Sequence, residues 1–326
     1  MRLEEIYRPI KQDLIELERV LSMSLKESRH KSTLGISNYL LDTKGKRLRP
    51  AMLILSAKAG PNLKGSNSQF VKIAAAIELI HMASLVHDDV IDHARFRHNK
   101  PTVNSKWGSD VSIALGDYLY SIAFELISKS RDADILECIS SATKSMCEGE
   151  LVQVCERDNL DLLKERYIVT VKKKTAALFA ASCRAGAMVS RAKKPVQSAL
   201  KEYGLNCGIA FQIADDCLDL IGTMKDLGKS PGTDFKMGEL TLPVLNLFSC
   251  SKDKNRIMSL IKQAQRKEAF KEIKRSFINS DALLKTKKDI SLYVQKAKEN
   301  LKFCRDSEYR SSLEGLADFI NERIGL

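Results

Sequence analysis

IAAAIELIHMASLVHDDVIDHARFRHNKPT, residues 73 to 102, runs from an almost wholly apolar stretch into Asp88, Asp89 and Asp92, then into Arg95, Arg97, His98 and Lys100. The apolar half, broken only by Glu78 and His81, reads as a helix buried in a core. It is shorter than the roughly 20 apolar residues a membrane-spanning helix needs. On a helix, residues three and four apart share a face, so Asp88 and Asp92 point the same way with Asp89 beside them. Carboxylates repel one another and are costly in apolar surroundings, so this arrangement calls for a cation.

FQIADDCLDLIG, residues 211 to 222, repeats the spacing: Asp215, Asp216 and Asp219 form a second DDxxD, with Gln212 one turn earlier. Each motif ends an apolar helix, where the helix dipole is already negative and further disfavours bare carboxylates. An oxygen-only, highly charged donor set suits Mg²⁺, which keeps waters and is usually completed by phosphate oxygens rather than by a full protein cage. The basic residues beside the first motif imply a phosphorylated ligand.

The helical period extends in both directions. Ile6, Ile10, Leu14, Leu17 and Leu21 repeat it at the start, and Leu313, Leu316 and Ile320 near the end. Helices are expected around 70–92, 110–128, 133–156, 161–189 and 196–221, with several more after Pro243. Breaks are expected at 43–50, 97–102, 191–195 and 227–243, where Gly, Pro or Asn interrupt the period. The fold class is therefore all-α. With 326 residues, 44% of them hydrophobic, and only 7 Pro and 16 Gly, no linker is visible, and a single domain over 1–326 is expected.

The opening MRLEEIYRPIKQDLIELERVL reads as an amphipathic helix rather than an export signal, because acidic residues stand where the apolar run would be. The 8 cysteines are scattered without a CxxC pair, which argues against a zinc cage and for reduced thiols in a cytoplasm. The 53 Lys and Arg against 41 Asp and Glu give a net charge of +12, compatible with nucleic acid, a membrane surface or small phosphorylated substrates. Much of the excess lies at 262–277 and 285–289 and reads as a solvated helix face.

These residues resemble the trans-isoprenyl diphosphate synthase, or polyprenyl synthetase, family, of long-chain type. GKRLRP (45–50), the two aspartate motifs, RFRHNKPTVN (95–104), GDYLY (116–120), GELVQ (149–153), KTAALF (174–179) and GKSPGTD (228–234) occur in the family's order. The resemblance implies an isoprenoid synthase fold, an antiparallel helical bundle around a deep central cavity, forming a homodimer, with the two motifs facing each other across the cavity mouth. It implies three Mg²⁺ held by Asp88, Asp92 and Asp215, supported by Asp89, Asp216 and Asp219. Arg97, Lys174 and Lys229 would bind the allylic diphosphate, while Lys46, Arg49 and His81 would bind isopentenyl diphosphate. Thr175 and Gln212 would offer oxygens near the allylic cation, and the 227–239 loop would close as a lid.

Two positions depart from the family's pattern. His98 stands where a second arginine, which helps hold isopentenyl diphosphate, is usual, and Glu239 stands where many members carry lysine. Ala83 and Ser84, five and four residues before Asp88, are small where short-chain members place an aromatic plug, so a long product is expected. Leu136, Ile139 or Met146 is expected at the tunnel floor, and Tyr118, Tyr120 and Phe124 in core packing. The nearest rival is a geranylgeranyl or farnesyl diphosphate synthase. A class I terpene cyclase would carry an Asn/Ser/Glu motif in place of the second DDxxD, and a non-catalytic subunit would have lost one of the two. Nucleic-acid binding rests on net charge alone and leaves both motifs unexplained.

Overall fold

Ser68–Ile91 (α5), apolar on nearly every face, lies at the centre of the molecule. Ala74 to Ile77, Leu79 and Ile80 are fully buried. The computed structural model describes residues 2–28, 30–42, 45–60, 68–97, 99–157, 163–223 and 231–324. Around α5 stand Lys11–Leu25 (α2), Leu48–Lys58 (α4) and Ser109–Ser128 (α7). A second group packs beside α4: Ala133–Cys155 (α8), Ala177–Val189 (α10) and Lys194–Ile221 (α11). Asp281–Asn300 (α16) and Glu308–Glu322 (α17) lie against α11. Buried apolar side chains from Ile6 to Ile324 form one continuous cluster.

The expected helices are present with shifts of one or two residues at most ends. α8 starts where Asp132 accepts the Ile135 amide at 3.1 Å, and α11 starts at a proline in its first turn. The expected helix over 161–189 is interrupted. Lys164–Val171 (α9) passes through a π-helical turn, Lys172–Ala176, before becoming α10. Two glycines crowd this turn. A Cβ at Gly149 of α8 would come within 2.6 Å of the Lys174 amide nitrogen, and one at Gly208 of α11 within 2.6 Å of the Ala176 Cα.

The break after the first motif folds back as a two-residue antiparallel ladder, Phe96–Arg97 (β1) with Lys100–Pro101 (β2), and these are the only strands among the described residues. Thr102 then caps Val103–Trp107 (α6), accepting the Ser105 amide at 3.0 Å and donating its hydroxyl to the Ala94 carbonyl at 2.7 Å. Contrary to expectation, two stretches, Gln69–Ile91 and Ser109–Ser128, do reach the length and hydropathy of a membrane span. They are α5 and α7, packed against each other, the first mostly buried and the second about half so.

Candidate active site

The last turn of α5 and the last two turns of α11 bring the two DDxxD motifs to the wall of one cavity of about 930 Å³. Asp88, Asp89, Asp92, Asp215 and Asp216 line it, as do Lys46, Arg49, His81, Arg97, Lys174, Thr175, Gln212 and Glu239. Nearly every expected site residue within the described chain is thus gathered in one place. His98 and Lys229 lie outside the described residues.

Asp89, Asp92, Asp215 and Asp216 each have an identifiable partner. Arg97, turned back by the β1–β2 ladder, donates to Asp89 Oδ1 at 2.9 Å through Nε and 2.8 Å through Nη2. Arg157, just beyond α8, donates to Asp92 Oδ1 at 2.6 Å, and its Nε lies 3.6 Å from Glu239. Arg323, at the end of α17, donates to Asp215 and stacks over the Phe211 ring at 4.3 Å. Asp216 accepts the Tyr167 hydroxyl at 2.6 Å and the Gln212 side-chain amide at 2.7 Å. Thr175 in turn donates to Gln212 Oε1 at 2.7 Å, so the π turn of one helix is tied to the carboxylates of another.

The site is electrostatically incomplete. Burial pushes Asp88 up to about 7; Lys174 and Arg97 oppose the rise, and Glu150 and Asp92 add to it. Burial raises Asp216 too, with Asp234 reinforcing the shift and the Tyr167 and Gln212 hydrogen bonds restraining it. Glu239 also rises to about 7, through burial and repulsion by Asp234. Burial works against the Lys174 ammonium, but Asp88 and Glu150 outweigh it and the lysine stays charged, paired to Glu150 at 2.5 Å. A divalent cation would restore the carboxylate form of Asp88. Among the described residues no three His, Cys, Asp or Glu side chains converge on one metal position. The donor set fits an ion that completes its shell with water and substrate oxygens, with Arg97, Arg157 and Arg323 beside Asp89, Asp92 and Asp215.

Some expected residues are placed differently. Asp219 does not line the cavity: it is buried, and its Oδ2 accepts the backbone amide of Asp234 at 3.3 Å while its carbonyl accepts from Gly232 at 2.9 Å. It anchors the chain that returns to the site. Ala83 is fully buried and does not line the cavity, whereas Ser84 does, because only residues four apart return to the Asp88 face. Of the proposed floor residues, Met146 lines the cavity, Ile139 is buried away from it and Leu136 is exposed. Tyr120 packs on the core as expected and in addition lines the cavity beside Cys147, with its ring against His87 at 5.9 Å. Tyr118 and Phe124 pack on the core as expected.

Sequence reading missed Arg157, Arg323 and Tyr167, each far in sequence from the carboxylate it meets. Only Glu150 had a signal, lying inside the quoted GELVQ segment.

An all-α bundle that lines one cavity with two aspartate motifs and a ring of cations is the framework of an enzyme that moves isoprenyl groups from diphosphates. A model of the polyprenyl synthetase family matches residues 30–277, and the chain belongs to that family. Heptaprenyl diphosphate synthase component 2 of Bacillus subtilis is 32% identical over 323 residues, covering 99% of this chain and 91% of that one. Geranylgeranyl diphosphate synthase of Methanosarcina mazei is 33% identical over 330 residues, covering 99% of each. The crystal structure of a polyprenyl synthase from Caulobacter crescentus, complexed with calcium and isoprenyl diphosphate, superposes with a TM-score of 0.92 at 33% identity, over 98% of this chain and 97% of that one. The chain is a prenyltransferase with the isoprenoid synthase fold.

Proposed function

We propose that the chain condenses isopentenyl diphosphate with an allylic diphosphate to build a long, octaprenyl-like all-trans-polyprenyl diphosphate. The observation that carries this reading is the division of charge around one cavity. The two aspartate motifs lie with Lys174 and Arg97, while Lys46 and Arg49, without carboxylate partners among the described residues, offer a second place for an anion.

In this reading Asp88, Asp92 and Asp215, with Asp89 and Asp216 beside them, hold three Mg²⁺. When bound, Mg²⁺ neutralises the charge that develops on the departing diphosphate. Arg97 and Lys174 hold that diphosphate through charge-assisted hydrogen bonds, joined by Lys229. Thr175 and Gln212 present oxygens to the allylic cation left by ionisation. Lys46, Arg49 and His81, with His98 and the newly found Arg323, hold isopentenyl diphosphate while its double bond attacks. A proton then passes to the departing pyrophosphate, and no protein nucleophile takes part. Of the expected lid, residues 227–230 lie outside the described residues; the described part borders the cavity through Thr233, Asp234, Gly238 and Glu239, where it would help exclude water.

The small side chain of Ser84 on the cavity wall favours a long product. A geranylgeranyl product is the second reading, favoured by Tyr120 and Met146, which line the same cavity and narrow it. The relatives carry both names. We also place the enzyme in the cytoplasm as a homodimer: its 8 cysteines are free thiols, and Ile113 on α7 and Leu136 on α8 are exposed apolar groups a second copy would cover. "Component 2" in the name of the Bacillus relative makes an unlike partner the alternative, which light scattering of the purified protein resolves.

The decisive experiment incubates purified protein with Mg²⁺, isopentenyl diphosphate and a set of allylic primers, then sizes the dephosphorylated products. Products well beyond twenty carbons support the long-chain reading, and a single twenty-carbon product supports the second. No product with any primer defeats both.

A further inference from the structure

Arg47 adopts a left-handed backbone, φ 52° and ψ 34°, immediately before α4. Non-glycine residues seldom occupy this region, and one that does must be held there by its surroundings. Here the surroundings are specific. The Arg47 guanidinium donates to Glu18 Oε1 at 2.7 Å and to Glu78 Oε1 at 2.7 Å, and only 10% of the side chain is exposed. One residue earlier, the Tyr7 hydroxyl donates to the Lys46 carbonyl at 2.9 Å. Burial and the nearby Glu78 keep the Tyr7 phenol protonated, so it remains a donor.

The neighbours of Arg47 are in the opposite condition. Lys46 and Arg49 line the cavity, and among the described residues neither is paired with a carboxylate. Lys46 Nζ lies 5.5 Å from the centre of the Phe319 ring, and the Arg49 guanidinium 4.4 Å from that of Phe179, with Arg49 Nε buried and without a hydrogen-bond partner. Arg47 lines the same cavity, but its guanidinium is taken up by two carboxylates, whereas Lys46 and Arg49 are available to an anion.

Tyr7 and Glu18 both precede residue 30, where the family match begins. α4 has its own anchorage in the core through Ala51 to Leu55. What Tyr7, Glu18 and Glu78 fix is the arm that leads into α4. We propose that Tyr7, Glu18 and Arg47 are positioning residues for the homoallylic substrate: they hold the left-handed turn that aims Lys46 and Arg49 into the cavity, without binding substrate themselves. This rests on the reading above that Lys46 and Arg49 take isopentenyl diphosphate.

The test measures KM for both substrates, kcat and Tm in Tyr7→Phe, Glu18→Ala, Glu18→Gln and, as a direct control, Lys46→Gln. Tyr7→Phe and Glu18→Ala should raise KM for isopentenyl diphosphate on the order of threefold to tenfold, the effect of one hydrogen bond or ion pair, with allylic KM and kcat within about twofold. Glu18→Gln, which keeps an acceptor, should recover part of the loss. Calorimetric binding of the unreactive thiolo analogue of isopentenyl diphosphate should weaken in parallel. If Lys46→Gln raises this KM while Tyr7→Phe and Glu18→Ala lower only Tm, or disturb both substrates equally, the positioning role is overturned. If Lys46→Gln leaves it unchanged, the assignment of the subsite itself has failed.

Discussion

Arg157 Nη2 lies 2.6 Å from Asp92 Oδ1, so the last carboxylate of the first motif is held by a cation that follows a different helix, α8. Arg157 also faces Glu239, so one guanidinium serves two acidic groups. Arg157→Gln should therefore lower the stability of the metal-free protein by about 1–3 kcal/mol, since both partners are largely buried. Millimolar Mg²⁺ should restore part of the loss. Denaturant midpoints in EDTA and in Mg²⁺ check this, and a wild-type midpoint in EDTA would count against it.

Asp88→Ala and Asp215→Ala should each reduce turnover on the order of 10³-fold or more, because each removes a group proposed to hold the charge-stabilising cation. Circular dichroism should remain helical in both, as neither side chain supports the core. Undiminished condensation by either purified variant would sink the mechanism.

The metal-free protein should lose stability as pH rises. Asp88 and Glu239 stand at about 7 in the folded state and near 4 when unfolded, so between these values the folded state binds more protons. More protons in the native state makes the slope of unfolding free energy against pH negative through that window. Stability in EDTA should fall by up to a few kcal/mol from about pH 4.5 to pH 7.5, after allowance for acid effects elsewhere. Saturating Mg²⁺ should flatten the upper part of the profile. Melting curves at constant ionic strength decide the matter, and a Tm that rises steadily to pH 7.5 in EDTA would contradict the assignment.

Chain length should respond to Ser84 rather than to Ala83. Ser84→Phe places a ring in the cavity and should shorten the product with activity retained. Tyr120→Ala removes one from the same wall and should lengthen it. Ala83→Phe should instead overpack the core, where Ala83 is fully buried, at a cost of about 1–3 kcal/mol. Product sizing and melting temperatures on the three variants separate the cases. Identical products from wild type, Ser84→Phe and Tyr120→Ala would mean the chain grows along another path.

Helices, helix ends and the two carboxylate motifs were legible because they depend on neighbours within a turn or two. Ile73 to Val86 could hardly be anything but a core helix, and the DDxxD spacing placed Asp88 and Asp92 on one face. The face of Ser84 was legible by the same rule, since four residues return to the Asp88 side while five do not. Arg157, Arg323 and Tyr167 were not legible, because nothing local to a cation or a phenol records which distant carboxylate it will meet. The displacement of Asp219 was equally hidden: its spacing matches that of Asp92, but the chain returning through Gly232 and Asp234 claims its carbonyl and its carboxylate.

The π turn at Lys172–Ala176 also sets a phase. An α-helix advances about 100° per residue, so the extra residue in this turn rotates everything before it relative to everything after it. Tyr167 on the near side meets Asp216, while Leu178, Phe179 and Cys183 on the far side face the core. A regular helix through the same segment could satisfy only one of these two registers. Deleting Lys173 would leave a better helix by local criteria, yet it would turn the Tyr167 hydroxyl away from Asp216 or lift the α10 face out of the core. The irregular turn is thus the joint that lets one continuous rod serve both the interior and the carboxylates.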